Sequence, residues 1–176
     1  MKMSRTHSDQ NEAILASLSK PLRDRLPELF ALAIDEARRA DDPFGCVLAD
    51  RETGEVVVAS GNSARGDATA HAEINALRRL AETKFDPKRI ALISTAEPCP
   101  LCASGIWWTG IDTVVFGTTI EQLIRFGWSQ IQIPTREVFA RGTPNRKIAL
   151  IEAFEFEKCD PLYSKGPNRR GTVSKT

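Results

Sequence analysis

The sequence predicts an α/β fold, and three observations carry that reading. Leu22, Leu26, Leu29, Phe30, Ala33, Ile34 and Ala37 recur at three- and four-residue steps, the period of a helix with one apolar face. Four short apolar runs, Phe44 to Asp50, Val56 to Ser60, Ile90 to Thr95 and Val114 to Gly117, have the length of strands rather than helices. Helical stretches at Ala70 to Ala81 and Cys99 to Thr109 alternate with the last two of those runs, the layout of crossover connections in a layered α/β domain. With 176 residues, 41% of them hydrophobic, the chain can bury a sizeable core in one domain spanning 1–176.

Residues 1–20 read as a polar N-terminal tail that leads into the helix from Leu22 to Ala40. Pro21 suits the first turn of that helix, and Asp41-Asp42-Pro43 stops it. Phe44 to Asp50 and Val56 to Ser60 form an antiparallel pair around a turn at Arg51 to Gly54. Cys46 lies between apolar neighbours and is expected to be buried and inert. The small, polar stretch Ser63 to Ala68 suits a pocket rim. Ile90 to Thr95 is a buried strand that delivers Cys99 to the next helix. Trp107 and Trp108 are adjacent there and face different directions, which argues against one stacking platform; at least one belongs to the core or a subunit contact. Beyond Gly117 the pattern predicts short helices at Thr119 to Phe126 and Pro134 to Ala140 and a strand or helix within Lys147 to Phe156. Residues 161–176, polar and containing Pro and Gly, read as a mobile C-terminal tail.

Composition narrows the function classes. A net charge of +1 argues against an electrostatic demand for nucleic acid or membranes. The basic residues Lys165, Arg169, Arg170 and Lys175 are better explained as a solvated terminus than as a phosphate contact. There is no run of about 18 apolar residues, so no membrane span is expected. Met1 to Gln10 lacks an apolar signal core. Four cysteines, two of them in one motif, do not make a disulfide framework, and a reducing, cytoplasmic compartment is expected.

The chemistry is concentrated in two motifs, Thr69-Ala70-His71-Ala72-Glu73 and Glu97-Pro98-Cys99-Pro100-Leu101-Cys102. His71, Cys99 and Cys102 offer one imidazole and two thiolates, a set suited to Zn²⁺ that leaves a fourth position for water. Cys-x-x-Cys at a helix start puts both sulfurs on one side of the first turn, where the helix N-terminus favours thiolate. Glu73, two residues past His71, is the base for that water and need not be a ligand. The bland alternative is a structural zinc site. It needs a fourth ligand, and His7, Cys46 and Cys159 are the candidates, none in a knuckle-like repeat. A non-catalytic, zinc-stabilised binding module would use the ligands but leave Glu73 without a role.

These motifs, with Pro43-Phe44-Gly45 and Gly61-Asn62 in the same order, resemble the cytidine-deaminase-like superfamily, in its purine and cytosine (guanine deaminase-like) nucleobase branch. The resemblance covers Leu22 to Gly127. It implies a three-layer α/β/α sandwich around a central, mixed, five-stranded sheet, and a homodimer paired through the metal-helix face. It also implies a hydrolytic deaminase in which Glu73 moves protons while water displaces ammonia at the amino-bearing carbon of a heterocycle. Phe44, Asn62, Ala70, Glu97 and Pro98 are the substrate-binding residues it assigns. The metal motif does not choose among guanine, adenine, cytosine and triazines. Phe44, Asn62 and Ala70 look like the guanine deaminase set, and a free, guanine-like nucleobase is the first expectation. Those enzymes usually carry Gly-Phe-Asp where this chain has Gly127-Trp128-Ser129. The alternative is a tRNA adenosine deaminase forming inosine. The segment after the Val114 strand that such enzymes carry is replaced here by Thr118-Thr119-Ile120-Glu121-Gln122.

Overall fold

The computed structural model describes residues 5–144 and 146–167, with side chains from residue 9 onward. A five-stranded sheet has the order β2-β1-β3-β4-β5, formed by β1 (Gly45–Asp50), β2 (Val56–Gly61), β3 (Ile90–Ala96), β4 (Thr113–Thr118) and β5 (Ala149–Ile151). β1 pairs antiparallel with both β2 and β3, while β3, β4 and β5 run parallel. The sheet is therefore mixed, as the resemblance implies. β1, β3 and β4 are buried along their whole length because helices cover both faces, which is why they read as unbroken apolar runs.

Strand alternation divides the core in two. Val47, Ala49, Ala91, Ile93 and Val115 point to the side of α2 (Lys20–Arg39) and α7 (Phe156–Tyr163). Cys46, Leu48, Leu92 and Val114 point to the other side, where α3 (Ala72–Ala81) and α4 (Pro100–Thr109) pack. The seven predicted apolar positions of α2 are all buried, and its start is fixed by Ser19 Oγ, which accepts the Leu22 N–H at 3.2 Å. α2 lies unusually close to the sheet. A methyl group on Gly45 would sit 2.0 Å from the Ala33 carbonyl oxygen, and Gly61, its partner across the strands, meets Ala40 and Glu36. Two facing glycines make room for the helix backbone.

Both chain ends depart from the sequence reading. The predicted N-terminal tail, residues 1–20, contains α1 (Arg5–Ser17), and Lys20 already belongs to α2. Ile14, Leu15 and Leu18 pack against the core, an amphipathic face too short to stand out among polar neighbours. Asn11 mimics a further strand beside β5: its Nδ2 donates to the Glu152 carbonyl at 2.7 Å, and its Oδ1 accepts the Glu152 N–H at 3.2 Å. At the other end, the predicted mobile tail from Pro161 begins inside α7, and Tyr163 is fully buried. The tail residues 168–176, with Arg169, Arg170 and Lys175, lie outside the described residues, and Lys165 is exposed. The predicted strand or helix at 147–156 is the three-residue β5 followed by the start of α7. α5 (Ile120–Arg125) and α6 (Thr135–Ala140) fall inside their predicted ranges. Among the described residues no helix is long and apolar enough to cross a membrane.

Candidate metal centre and active site

Two helix beginnings meet at the end of the sheet where β3 and β4 finish. His71 is the N-cap of α3 and Cys99 the N-cap of α4, each with extended backbone. The helices start one residue later than the sequence reading places them at Cys99 and two later at Ala70. Pro100 occupies the first turn of α4, where a missing N–H costs nothing. Gly105 allows the two helices to approach, since a side chain there would come within 3.1 Å of Ile74 and 3.2 Å of Leu77.

His71, Cys99 and Cys102 converge as predicted. His71 Nδ1 is 3.5 Å from each sulfur, and the sulfurs are 3.6 Å apart. Zinc bound at about 2.1 Å to nitrogen and 2.3 Å to sulfur in a tetrahedron requires ligand separations of about 3.6–3.8 Å. The triangle therefore fits that ion with only a slight expansion, and the three residues are positioned to hold it. Cys46 and Cys159 are buried in opposite core layers and are not members of this cluster. The bond with Cys102 pulls the Cys99 thiol down to about 4, while the same bond and burial push Cys102 up. The Cys99 thiolate in turn raises His71.

Glu73 lies in the first turn of α3 and is buried. Ser94 Oγ of β3 donates to its Oε1 at 2.9 Å, and Oε2 is 3.5 Å from Cys102 Sγ. Burial foremost, then the Cys99 charge, raises its pKa. A carboxylate so held is a better proton acceptor than a solvated one, and it faces the same cavity as His71 and Cys99.

That cavity, about 590 Å³, has an aromatic and aliphatic wall. Phe44 and Trp128 meet edge to face with centroids 5.1 Å apart. Tyr163 backs both, at 5.1 Å from Phe44 and 6.1 Å from Trp128. Its hydroxyl donates to Thr95 Oγ1 at 2.7 Å, and its carbonyl accepts the Trp128 indole N–H at 3.0 Å. Asn62 also lines the cavity and is buried, its main-chain N–H donating to the Phe44 carbonyl at 3.0 Å; its Oδ1 accepts the Ala64 N–H at 3.0 Å, so its side chain has an amide donor left to offer. Ser129, Gln130 and Ile131 complete the rim.

The other substrate-side residues take different places. Ala70 and Pro98 are buried but do not line the cavity, and their carbonyls are engaged by Ser63 and Asn75 and by Thr135. Glu97 does reach the cavity, yet its Oε2 accepts the Ile120 N–H at 2.8 Å and its Oε1 the Thr135 N–H at 2.9 Å. Sequence reasoning missed Ser94, Trp128 and Tyr163. The signal for Tyr163 was faint: Phe156, Cys159 and Tyr163 are spaced as one helix face inside a polar stretch.

Trp107 and Trp108 touch edge to face at 4.9 Å rather than as a platform. Trp107 is half-buried against Gly142 and carries Arg146 on its ring, whereas Trp108 is 79% exposed.

Known proteins place this arrangement in a family. Residues 24–118 match the cytidine and deoxycytidylate deaminase zinc-binding region. A probable cytosine deaminase of Schizosaccharomyces pombe is 33% identical over 114 residues, 62% of this chain and 70% of that protein. A tRNA-specific adenosine deaminase of Agrobacterium fabrum is 36% identical over 110 residues, 54% of this chain and 70% of that one. The fold is shared with the solved guanine deaminase of Nitrosomonas europaea, at TM-score 0.62, 19% identity and 92% of each chain. A triangle positioned to hold zinc stands beside a buried glutamate in a hydrolase acting on C–N bonds, and the chain belongs to the cytidine and deoxycytidylate deaminase zinc-binding family.

Proposed function

We propose that the protein deaminates a free nucleobase or a related small aminated heterocycle, with a guanine-like base as first choice. The observation that carries this reading is the cavity itself: Phe44 and Trp128 supply aromatic surface for one planar ring, and Asn62 offers a donor in the cavity that Glu73 also lines. The relatives named for cytosine, adenosine in tRNA and guanine share the metal motif, so kinship does not select the substrate, and the reading rests on the wall. Bound zinc would supply an acidified water near neutral pH. Glu73 takes a proton from the attacking water and gives it to a ring nitrogen, then takes the proton of the new hydroxyl group and delivers it to the departing amine, so that amidine and water become carbonyl and ammonia. Ser94 holds Glu73 in place through these transfers. We assign the catalytic role to Glu73 and the metal to His71, Cys99 and Cys102. Free thiol ligands suit a cytoplasmic, reducing setting.

Ammonia release from guanine, cytosine, isocytosine, adenine and triazines, measured beside inosine formation in a tRNA anticodon arm, tests the reading. Turnover of a free base is the expected result. Rapid inosine formation with inert free bases would replace it by the tRNA reading, which the Agrobacterium relative favours. The near-neutral charge stands against that outcome.

We further propose a homodimer through the exposed face of α4 and the rim beyond it, where Leu101, Trp108, Ile131 and Ile133 are 45%, 79%, 63% and 38% exposed. Light scattering should find twice the chain mass, and Trp108→Glu should return the monomer. An unchanged mass in that variant would place the contact elsewhere.

A further inference from the structure

Among the described residues, every one that lines the cavity from beyond β4 lies on one segment, Ile120 to Thr135, which holds Leu123, Trp128, Ser129, Gln130 and Ile131 against the cavity. Both ends of that segment return to a single side chain. The Glu97 carboxylate accepts the main-chain N–H of Ile120, the first residue of α5, and that of Thr135, the first residue of α6. Thr135 Oγ1 adds a bond to the Pro98 carbonyl at 2.7 Å, and the Glu97 N–H donates to the Thr118 carbonyl at 2.8 Å. Each N–H would otherwise be an orphan donor at a helix start. Glu97 is buried, and two residues later the chain supplies the ligand Cys99.

We propose that Glu97 is a positioning residue: its carboxylate clasps the substrate wall shut as a loop and fixes that wall to the metal motif, so that it governs substrate fit without touching the reacting atoms. Two donors on separate helices need two acceptor oxygens a fixed distance apart, which a glutamate offers. A glutamine keeps the shape but turns an NH₂ toward one of the N–H groups. An aspartate keeps the charge but is one methylene too short to span both.

The kinetic arm of the test rests on the deaminase reading; the exchange arm does not. Zinc-loaded wild type, Glu97→Gln and Glu97→Asp are compared by zinc content, amide hydrogen exchange and steady-state kinetics. Both variants should keep one zinc per chain. Amides within 120–135 should exchange about tenfold faster or more, while those of α3 keep their rates. KM for the turned-over base should rise about tenfold, the weight of one bond to a charged group, with kcat within about threefold. Unaltered exchange across 120–135 in Glu97→Gln would overturn the clasp. So would wild-type behaviour of Glu97→Asp, which would reduce Glu97 to a charge, or a collapse of kcat at constant KM, which would put it in the chemistry. If the wild type deaminates no free base, the proposed function falls and the exchange rates alone decide the clasp.

Discussion

The stretch from Gly45 to Thr118 and the stretch from Ile120 to Tyr163 enclose the same cavity by different means. In the first, the groups to which we assign metal and proton transfer sit at points set by regular structure: His71 and Cys99 on helix N-caps, Cys102 and Glu73 in first turns, with Ser94 behind Glu73 on a strand paired on both sides. In the second, the cavity residues sit in short helices and the connection between them, held by isolated contacts: the Glu97 carboxylate, the indole N–H of Trp128 and the ring of Tyr163. The contrast teaches that the two sides of one cavity differ in mechanical support, one fixed by the sheet and the other by a few side-chain bonds. A segment carried on a few hydrogen bonds can change its side chains without disturbing a metal triangle fixed by the sheet.

The contrast breaks if a change in the first region spares chemistry. Glu73→Ala should keep zinc and fold and lower kcat by about 10²–10⁴, the weight of a general acid–base group. Near-normal turnover with zinc retained would return the protein to a binding module. Gly45→Ala tests the frame, because the new methyl would press on main-chain atoms of α2 that cannot turn aside. A loss of about 3 kcal/mol in urea unfolding is expected, and a loss below about 0.5 kcal/mol would show that α2 moves freely. In the cavity wall, Asn62→Ala should reduce kcat/KM for the true base by about ten- to a hundredfold through one lost bond, with zinc unchanged; equal activity on all bases would remove Asn62 from recognition.

The smallest effect sharpens the comparison by pH. Burial pushes the Cys159 thiol up to about 12, and it also raises Cys46 and Tyr163. In the unfolded chain a thiol ionises near about 8.5. The folded form therefore keeps protons that the unfolded form releases, and stability is complete below about pH 8.5 and declines as pH rises toward 12, by up to about 1.4 kcal/mol per group per unit. Urea midpoints at neutral and alkaline pH measure the slope; a flat profile would mean that these groups open to water before the domain unfolds.

Legibility followed the same division. The ligands and Glu73 were readable because metal chemistry demands particular residue types at particular spacings. β1, β3 and β4 were readable because burial on both faces leaves apolar runs, whereas the three-residue β5 was too short to tell from a helix. Trp128 and Tyr163 were not, since an aromatic residue in a polar, irregular stretch carries no period, and its burial depends on partners far away in sequence, Phe44 and Thr95. Glu97 was visible as part of a motif, but its bonds to Ile120 and Thr135 belong to the tertiary fold alone.

The Asn11 clamp on Glu152 has a counterpart on the far side of the sheet, where Arg79 Nη1 donates to the Ala59 carbonyl of β2. Ala59 in β2 and Glu152, the residue just past β5, thus have main-chain groups already engaged at the two edges of the sheet. Copies meeting in a crowded cell find little ladder to extend, which disfavours end-to-end sheet growth into aggregates. A form cut back to residue 18 would uncover the β5 side, and poor solubility, more than lost activity, would be its mark.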